Sequence, residues 1–199
     1  MSLVSEPERQ TIKKKVMKIN PIFKNPLTNI ILFETLGSLI LTYGICVTEY
    51  LHPISRRIPN PFWTFLISCF NFLAISIAAP FTGGQINPVA TIGLCSAGLV
   101  EKKRLIPYIM SQLVGSILGT LICKWFIIID YAFFQENPHI YEISPEFSEV
   151  ALDCLSEAIG TFIFVFGVLQ VTIRNYMKGE TFQYFFISLM LLVARTYFC

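Results

Sequence analysis

Between Phe62 and Phe81 runs an apolar stretch of about twenty residues, long enough to cross a bilayer as a helix, and it ends in Gly83-Gly84-Gln85-Ile86-Asn87-Pro88. Only a short apolar run follows, Val89 to Val100, before the charges Glu101-Lys102-Lys103-Arg104. At 1.5 Å per helical residue such a run rises about 18 Å, roughly half a hydrocarbon core. The spacing predicts a re-entrant segment. Irregular backbone enters the membrane, a half-helix starts at Asn87-Pro88, and the chain returns to the side it came from. Backbone of that kind survives at membrane depth only where protein buries it or where it lines a watery cavity. The pattern points to a channel or a transporter.

Composition agrees. Of 199 residues, 54% are hydrophobic and 14% charged, which describes an integral membrane protein rather than a soluble domain. The six cysteines lie in or beside apolar runs, with no CxxC pair and no neighbouring His, so they read as buried small side chains. No metal or cofactor is expected. The first 26 residues are polar and basic and lack the apolar core of a cleaved signal, so the first span stays in the mature protein.

Five runs have the length of a span: Ile30 to Val47, Phe62 to Phe81, Leu105 to Cys123, Val150 to Ile173, and Phe182 to Phe198. Basic residues set their orientation. Arg9, Lys13, Lys14, Lys15, Lys18 and Lys24 precede the first span, Lys102, Lys103 and Arg104 follow the half-helix, and Arg174 and Lys178 separate spans four and five. All are cytoplasmic if the N-terminus is. The segment Asp130 to Glu149 is acidic and free of Lys and Arg, as an external loop should be. Trp63 and Trp125 fall at span ends, at headgroup level. The expected organisation is a basic cytoplasmic tail (1–26), a unit of three spans and a half-helix (27–128), an external loop (129–149) and a second, incomplete unit (150–199).

The two units repeat. Glu34-x-x-Gly37 and Gly44 in span one recur as Glu157-x-x-Gly160 and Gly167 in span four, each at the same interval. With three spans per unit the second copy enters from the opposite side, an inverted repeat of the kind that sets a conduction site at the bilayer midplane. The same interval carries Asn87 past Cys199, so a second half-helix and a sixth span are missing from the expected plan. Glu34 and Glu157 sit in apolar spans, where a lone carboxylate costs about 2.5–3.5 kcal/mol. Either each lies one turn inside the interface and reaches water, or each accepts from unpaired N–H groups of the re-entrant loop.

Asn87-Pro88 makes a good helix start, with Asn as cap and Pro at the first position. A half-helix beginning at mid-membrane also points its positive dipole end and free N–H groups into a pore. Gly83 and Gly84 suit a loop with unusual dihedrals or close backbone approach. In span three, Gly115 and Gly119 form a GxxxG face for close helix packing, and Gln112 is read as bracing a neighbouring loop. His52 and His139 fall in loops, and no nucleophile–base pair, paired carboxylates, phosphate loop or nucleic-acid surface occurs. No enzyme is indicated.

These motifs resemble the aquaporin (major intrinsic protein) family from about residue 28 onwards. The resemblance rests on Glu34-x-x-Gly37, the run Gly83 to Gly93, Tyr108-Ile109-x-Ser111-Gln112-x-x-Gly115, and Glu157-x-x-Gly160-Thr161-Phe162. It implies an all-α fold of six spans, two half-helices meeting at the midplane, a pore in every subunit of a homotetramer, and water or small uncharged solutes such as glycerol as permeants. On this resemblance Asn87, Pro88, Val89, Gly84, Gln85, Ile86 and Ile67 belong to the pore and its filter. Glu34, Glu157 and Gln112 support the loop, and Gly37, Gly115, Gly119 and Gly160 pack helices. The chain departs from the family pattern at three points: Asn-Pro-Val replaces Asn-Pro-Ala, Gln85 stands where His is common, and Ile67 stands where an aromatic is usual. Two readings follow, a divergent aquaporin-like channel represented by an incomplete chain, or a truncated non-conducting membrane protein that associates with full-length channel subunits.

Overall fold

The computed structural model describes residues 22–51, 61–129, 147–174 and 180–198. They form six helices: α1 (Pro26–Leu51), α2 (Pro61–Thr82), α3 (Pro88–Ser96), α4 (Lys102–Ile129), α5 (Phe147–Arg174) and α6 (Glu180–Phe198). The expected basic tail up to residue 21, both histidines and most of the acidic loop lie outside the described residues. Among the described residues the fold is all-α, a membrane protein built as the apolar runs predict.

Helix starts are written in Asn and Pro. Asn25 accepts from the Leu27 N–H at 2.9 Å ahead of Pro26, and Pro61 and Pro88 open α2 and α3. Proline fits there because its missing N–H is one the first turn would leave unpaired anyway. Segments of α1, α2, α4 and α5 (Pro26–Glu49, Phe62–Thr82, Lys102–Phe126, Cys154–Ile173) are long and apolar enough to cross a membrane, while α6 carries the shorter apolar stretch Thr181–Thr196. The half-helix is shorter than its apolar run: α3 stops at Ser96, and Gly98, at φ +74°, turns the chain. Leu99 N–H then donates to the Leu94 carbonyl at 2.9 Å, a closure of the Schellman type. That turn folds Leu99 and Val100 back onto Ile30, Leu94 and Tyr108.

Helix α1 packs along both α4 and α2, α6 lies against α5 and α2, and α3 sits between α4 and α5. The α1–α4 seam is set by glycine. A Cβ on Gly119 would stand 2.5 Å from the Leu39 carbonyl oxygen, and one on Gly115 would collide with that of Thr35. Thr35 Oγ1 donates to the Ser111 carbonyl across the same seam at 3.1 Å. Backbones this close leave no space for any side chain, which is the packing that small residues permit between membrane helices. Gly37, on another face of α1, gives the same clearance to Ile86 and Ala78. Gly160 is buried on α5.

Candidate functional site

The segment 83–87 between α2 and α3 has backbone that neither helix nor sheet can satisfy. Gly83 and Gly84 take φ of +89° and +60°, and Ile86 takes +43°. A β-branched residue in the left-handed region is a rare and costly conformation, held only where its surroundings over-determine it. Ile86 is held from both ends. Its N–H donates to Glu34 Oε2 at 2.7 Å, and its carbonyl accepts from Ser38 Oγ at 3.1 Å.

Glu34 is the organiser. It is 0% exposed, inside α1, and no basic side chain among the described residues bonds to it. Its Oε1 accepts from Thr82 Oγ1 at 2.6 Å and the Gln85 N–H at 3.1 Å. Its Oε2 accepts from the Ile86 N–H and from Gln112 Nε2 at 2.8 Å. Four donors converge on two oxygens, which replaces the hydration a carboxyl group loses on burial.

The network extends outward with consistent donors and acceptors. Gln112 Nε2 also donates to Thr91 Oγ1 at 2.9 Å, and that hydroxyl donates to the Asn87 carbonyl at 3.0 Å. Thr82 Oγ1 accepts from the Gly84 N–H at 3.2 Å, and Tyr108 Oη donates to the Thr82 carbonyl at 2.6 Å. The Gly83 N–H returns to the Ala79 carbonyl. Every N–H from Gly83 to Ile86 is thus paired. The carbonyls of Gly83, Gly84 and Gln85 receive no hydrogen bond from the described residues. Gly84 has no room for a side chain, because a Cβ there would sit 2.9 Å from the Ala79 backbone nitrogen.

Asn87 caps α3 from extended backbone. Its Oδ1 accepts from the N–H groups of Val89 at 2.8 Å and Ala90 at 3.4 Å. The cap consumes the oxygen and leaves the amide's Nδ2 without an acceptor among the described residues. Val89 is 44% exposed at the start of the half-helix, and Ile67 is buried on α2. The Gln85 side chain is buried, and its Oε1 has no donor among the described residues.

The structure therefore brings Glu34, Gln112, Gly84, Gln85, Ile86 and Asn87 together and separates Glu157 from them. Glu157 is exposed on α5, so the shared Glu-x-x-Gly pattern does not confer a shared environment. The sequence reading treated the two carboxylates alike. What distinguishes them is the loop: Glu34 faces the donors of 82–86, and Glu157 does not take part in that set. Ser38, Thr82 and Thr91, which complete the network, were missed from sequence. Their signal was hydroxyl side chains at the membrane depth of the loop, and hydroxyls in apolar helices are too common to single out.

The chain matches the family model described as Major intrinsic protein over residues 28–197. It is 26% identical over 159 residues to glycerol uptake facilitator protein 2 of Lactiplantibacillus plantarum, covering 73% of this chain and 66% of that protein. It is 28% identical over 114 residues to the glycerol uptake facilitator protein of Bacillus subtilis, covering 54% and 42%. It is 34% identical over 101 residues to probable aquaporin PIP2-2 of Oryza sativa subsp. japonica, covering 51% and 34%. The matched region spans about two thirds of the first of these proteins and less than half of the other two.

Proposed function

This chain belongs to the major intrinsic protein family, and on that premise we propose that it is a passive transmembrane channel for water and small uncharged solutes of the glycerol class. The observation that carries this reading is the division of labour in segment 83–87. The N–H groups of Gly83 to Ile86 are all paired within the protein, while three successive carbonyls and the Asn87 amino group have no partner among the described residues. A solute that both donates and accepts hydrogen bonds, and carries no charge, suits such a track. Carbonyls take its hydroxyl protons, and Asn87 Nδ2 donates to its oxygen. The half-helix dipole adds positive potential at Asn87, which disfavours cations.

On this reading Asn87, Pro88, Val89, Gly84, Gln85 and Ile86 form the narrow part of the pore, and Ile67 lies towards its outer end. Glu34 and Gln112 hold the loop against the strain at Ile86 without touching solute. Passive conduction requires no catalytic group or cofactor. Names given to the relatives, glycerol uptake facilitators and an aquaporin, support this solute class. The N-terminus is assigned to the cytoplasm from the basic residues, and the subunits to a homotetramer from the family.

The test separates Asn87's two roles. Asn87→Asp retains an acceptor for the Val89 and Ala90 N–H groups, so the cap and the folded state survive. It replaces the amino donor with charge. The expected outcome, in vesicles containing purified protein, is wild-type water and glycerol flux above empty vesicles and loss of both in Asn87→Asp at unchanged melting temperature. Wild-type flux equal to empty vesicles refutes the channel reading.

A further inference from the structure

A second polar site lies at membrane depth, away from the loop. Asn71 on α2 is 2% exposed, and Ser188 on α6 is 4% exposed. Asn71 Nδ2 donates to Ser188 Oγ at 3.1 Å. An amide buried in an apolar helix pair is costly unless its polar atoms are paired. Here one end is paired and the other is not. No donor among the described residues reaches Asn71 Oδ1, yet that oxygen is not one of the buried side-chain atoms sealed off without a partner. It therefore keeps a trace of accessible surface on a residue that is otherwise buried.

The helix register locates that surface. One turn from Asn71 along α2 is Ile75, which packs in a cluster with Ile86 of the re-entrant loop. One turn back from Ser188 along α6 is Tyr184, which packs on the same cluster, as does Ile187. The amide thus lies one helical turn from residues of the cluster that holds Ile86. One turn beyond it on the same face of α2 is Ile67, also buried. The face reads Ile67, Asn71, Ile75: a single acceptor between two aliphatic side chains.

We infer that Asn71, clamped by Ser188, is a hydrogen-bonding station on the wall of the permeation path that favours small polyols over water. This deepens the channel reading and rests on it. Tying Nδ2 to Ser188 fixes the amide plane and aims Oδ1 at the passing solute. A polyol has hydroxyl groups to donate to Oδ1 and a carbon skeleton to lie against Ile67 and Ile75. With hydroxyls at both ends it can engage Asn71 before releasing the loop carbonyls. Water gains the hydrogen bond but nothing from the aliphatic neighbours, and a fixed acceptor costs it mobility.

The competing account is that the pair only holds α2 to α6, since polar side chains do bridge membrane helices. The two separate in a ratio. Asn71→Leu retains the shape and removes the acceptor; Ser188→Ala retains the acceptor and removes its clamp. Glycerol and water permeabilities are measured in the same vesicles, with melting temperatures recorded for each variant. The expected result is a fall of about fivefold in the glycerol-to-water ratio for Asn71→Leu, the factor one net hydrogen bond carries. Ser188→Ala should shift the ratio the same way by less, and it supplies the answer if Asn71→Leu does not fold. A ratio equal to wild type in whichever variants fold, with any loss confined to melting temperature or to both fluxes equally, overturns the inference and leaves the channel reading standing. Wild-type vesicles that pass neither solute overturn the channel reading, and the station falls with it.

Discussion

Glu34 shows how one side chain can make an irregular backbone tolerable. Removing it as Glu34→Ala strands the Gln85 and Ile86 N–H groups and one Gln112 donor, while Thr82 can turn its proton to the Ala78 carbonyl 3.0 Å away. Each stranded buried donor costs about 1–3 kcal/mol. Glu34→Gln is less damaging but not silent. Its amino group must face one pair of donors, and the milder choice is the Thr82 side, where the hydroxyl can reverse and only Gln85 N–H is opposed. The expected order of melting temperature in detergent is wild type, then Gln, then Ala. Glu157→Ala, at an exposed position, should cost far less than Glu34→Ala. Equal losses at 34 and 157 would show that the buried network is not what holds the loop.

At the scale of elements, the α1–α4 seam is the least forgiving surface. The atoms that a new Cβ at Gly119 would meet are the Leu39 carbonyl oxygen and the Tyr43 backbone nitrogen, and at Gly115 the Thr35 carbonyl oxygen. Backbone cannot rotate away as a side chain can, so α4 would have to move bodily. That would drag Gln112 off Glu34 and Tyr108 off the Thr82 carbonyl. Gly115→Val is therefore expected to exceed the usual overpacking cost of about 1–3 kcal/mol and to abolish monodisperse protein in gel filtration. Ile117→Val, on the exposed face of the same helix, should leave the elution profile unchanged. A well-behaved Gly115→Val protein would mean that the seam has slack the packing does not show.

For the whole molecule, the apolar surface and the charges have to agree with one placement in a bilayer. Ile106, Met110, Leu113, Ile117, Leu121 and Trp125 of α4 are all exposed, at intervals of three or four residues. Such a stripe would be an aggregation hazard in water and is at home against lipid or a neighbouring subunit. At the proposed inner end, Glu101 pairs with Lys103 at 3.0 Å and Arg104 at 3.4 Å. At the other end Glu49 pairs with Arg195 at 2.5 Å. With the basic N-terminal segment inside, a tag ahead of Lys24 should be protected in intact cells, and one placed between Asp130 and Glu149 should be reached by impermeant label. The reverse pattern would invert the proposed topology.

The class of molecule, four of the five expected spans and the start of its half-helix were legible in the sequence, because each depends on local quantities. Span length is a count of apolar residues, and Asn87-Pro88 caps a helix whatever surrounds it. The helix end was less legible: α3 stops at Ser96 rather than Val100 because Gly98 turns in the left-handed region, and an apolar run does not mark that. Which carboxylate braces the loop was not legible at all. Glu34 and Glu157 stand in the same Glu-x-x-Gly pattern, and the repeat makes them look equivalent. The partners that distinguish them, Thr82, Gln85, Ile86 and Gln112, are far from Glu34 in the chain and reach it only when α1, α2 and α4 pack. The same holds for Asn71 and Ser188, two unremarkable polar residues in apolar runs until α2 meets α6. A buried polar group is defined by what satisfies it, and in this fold the satisfying groups come from other helices.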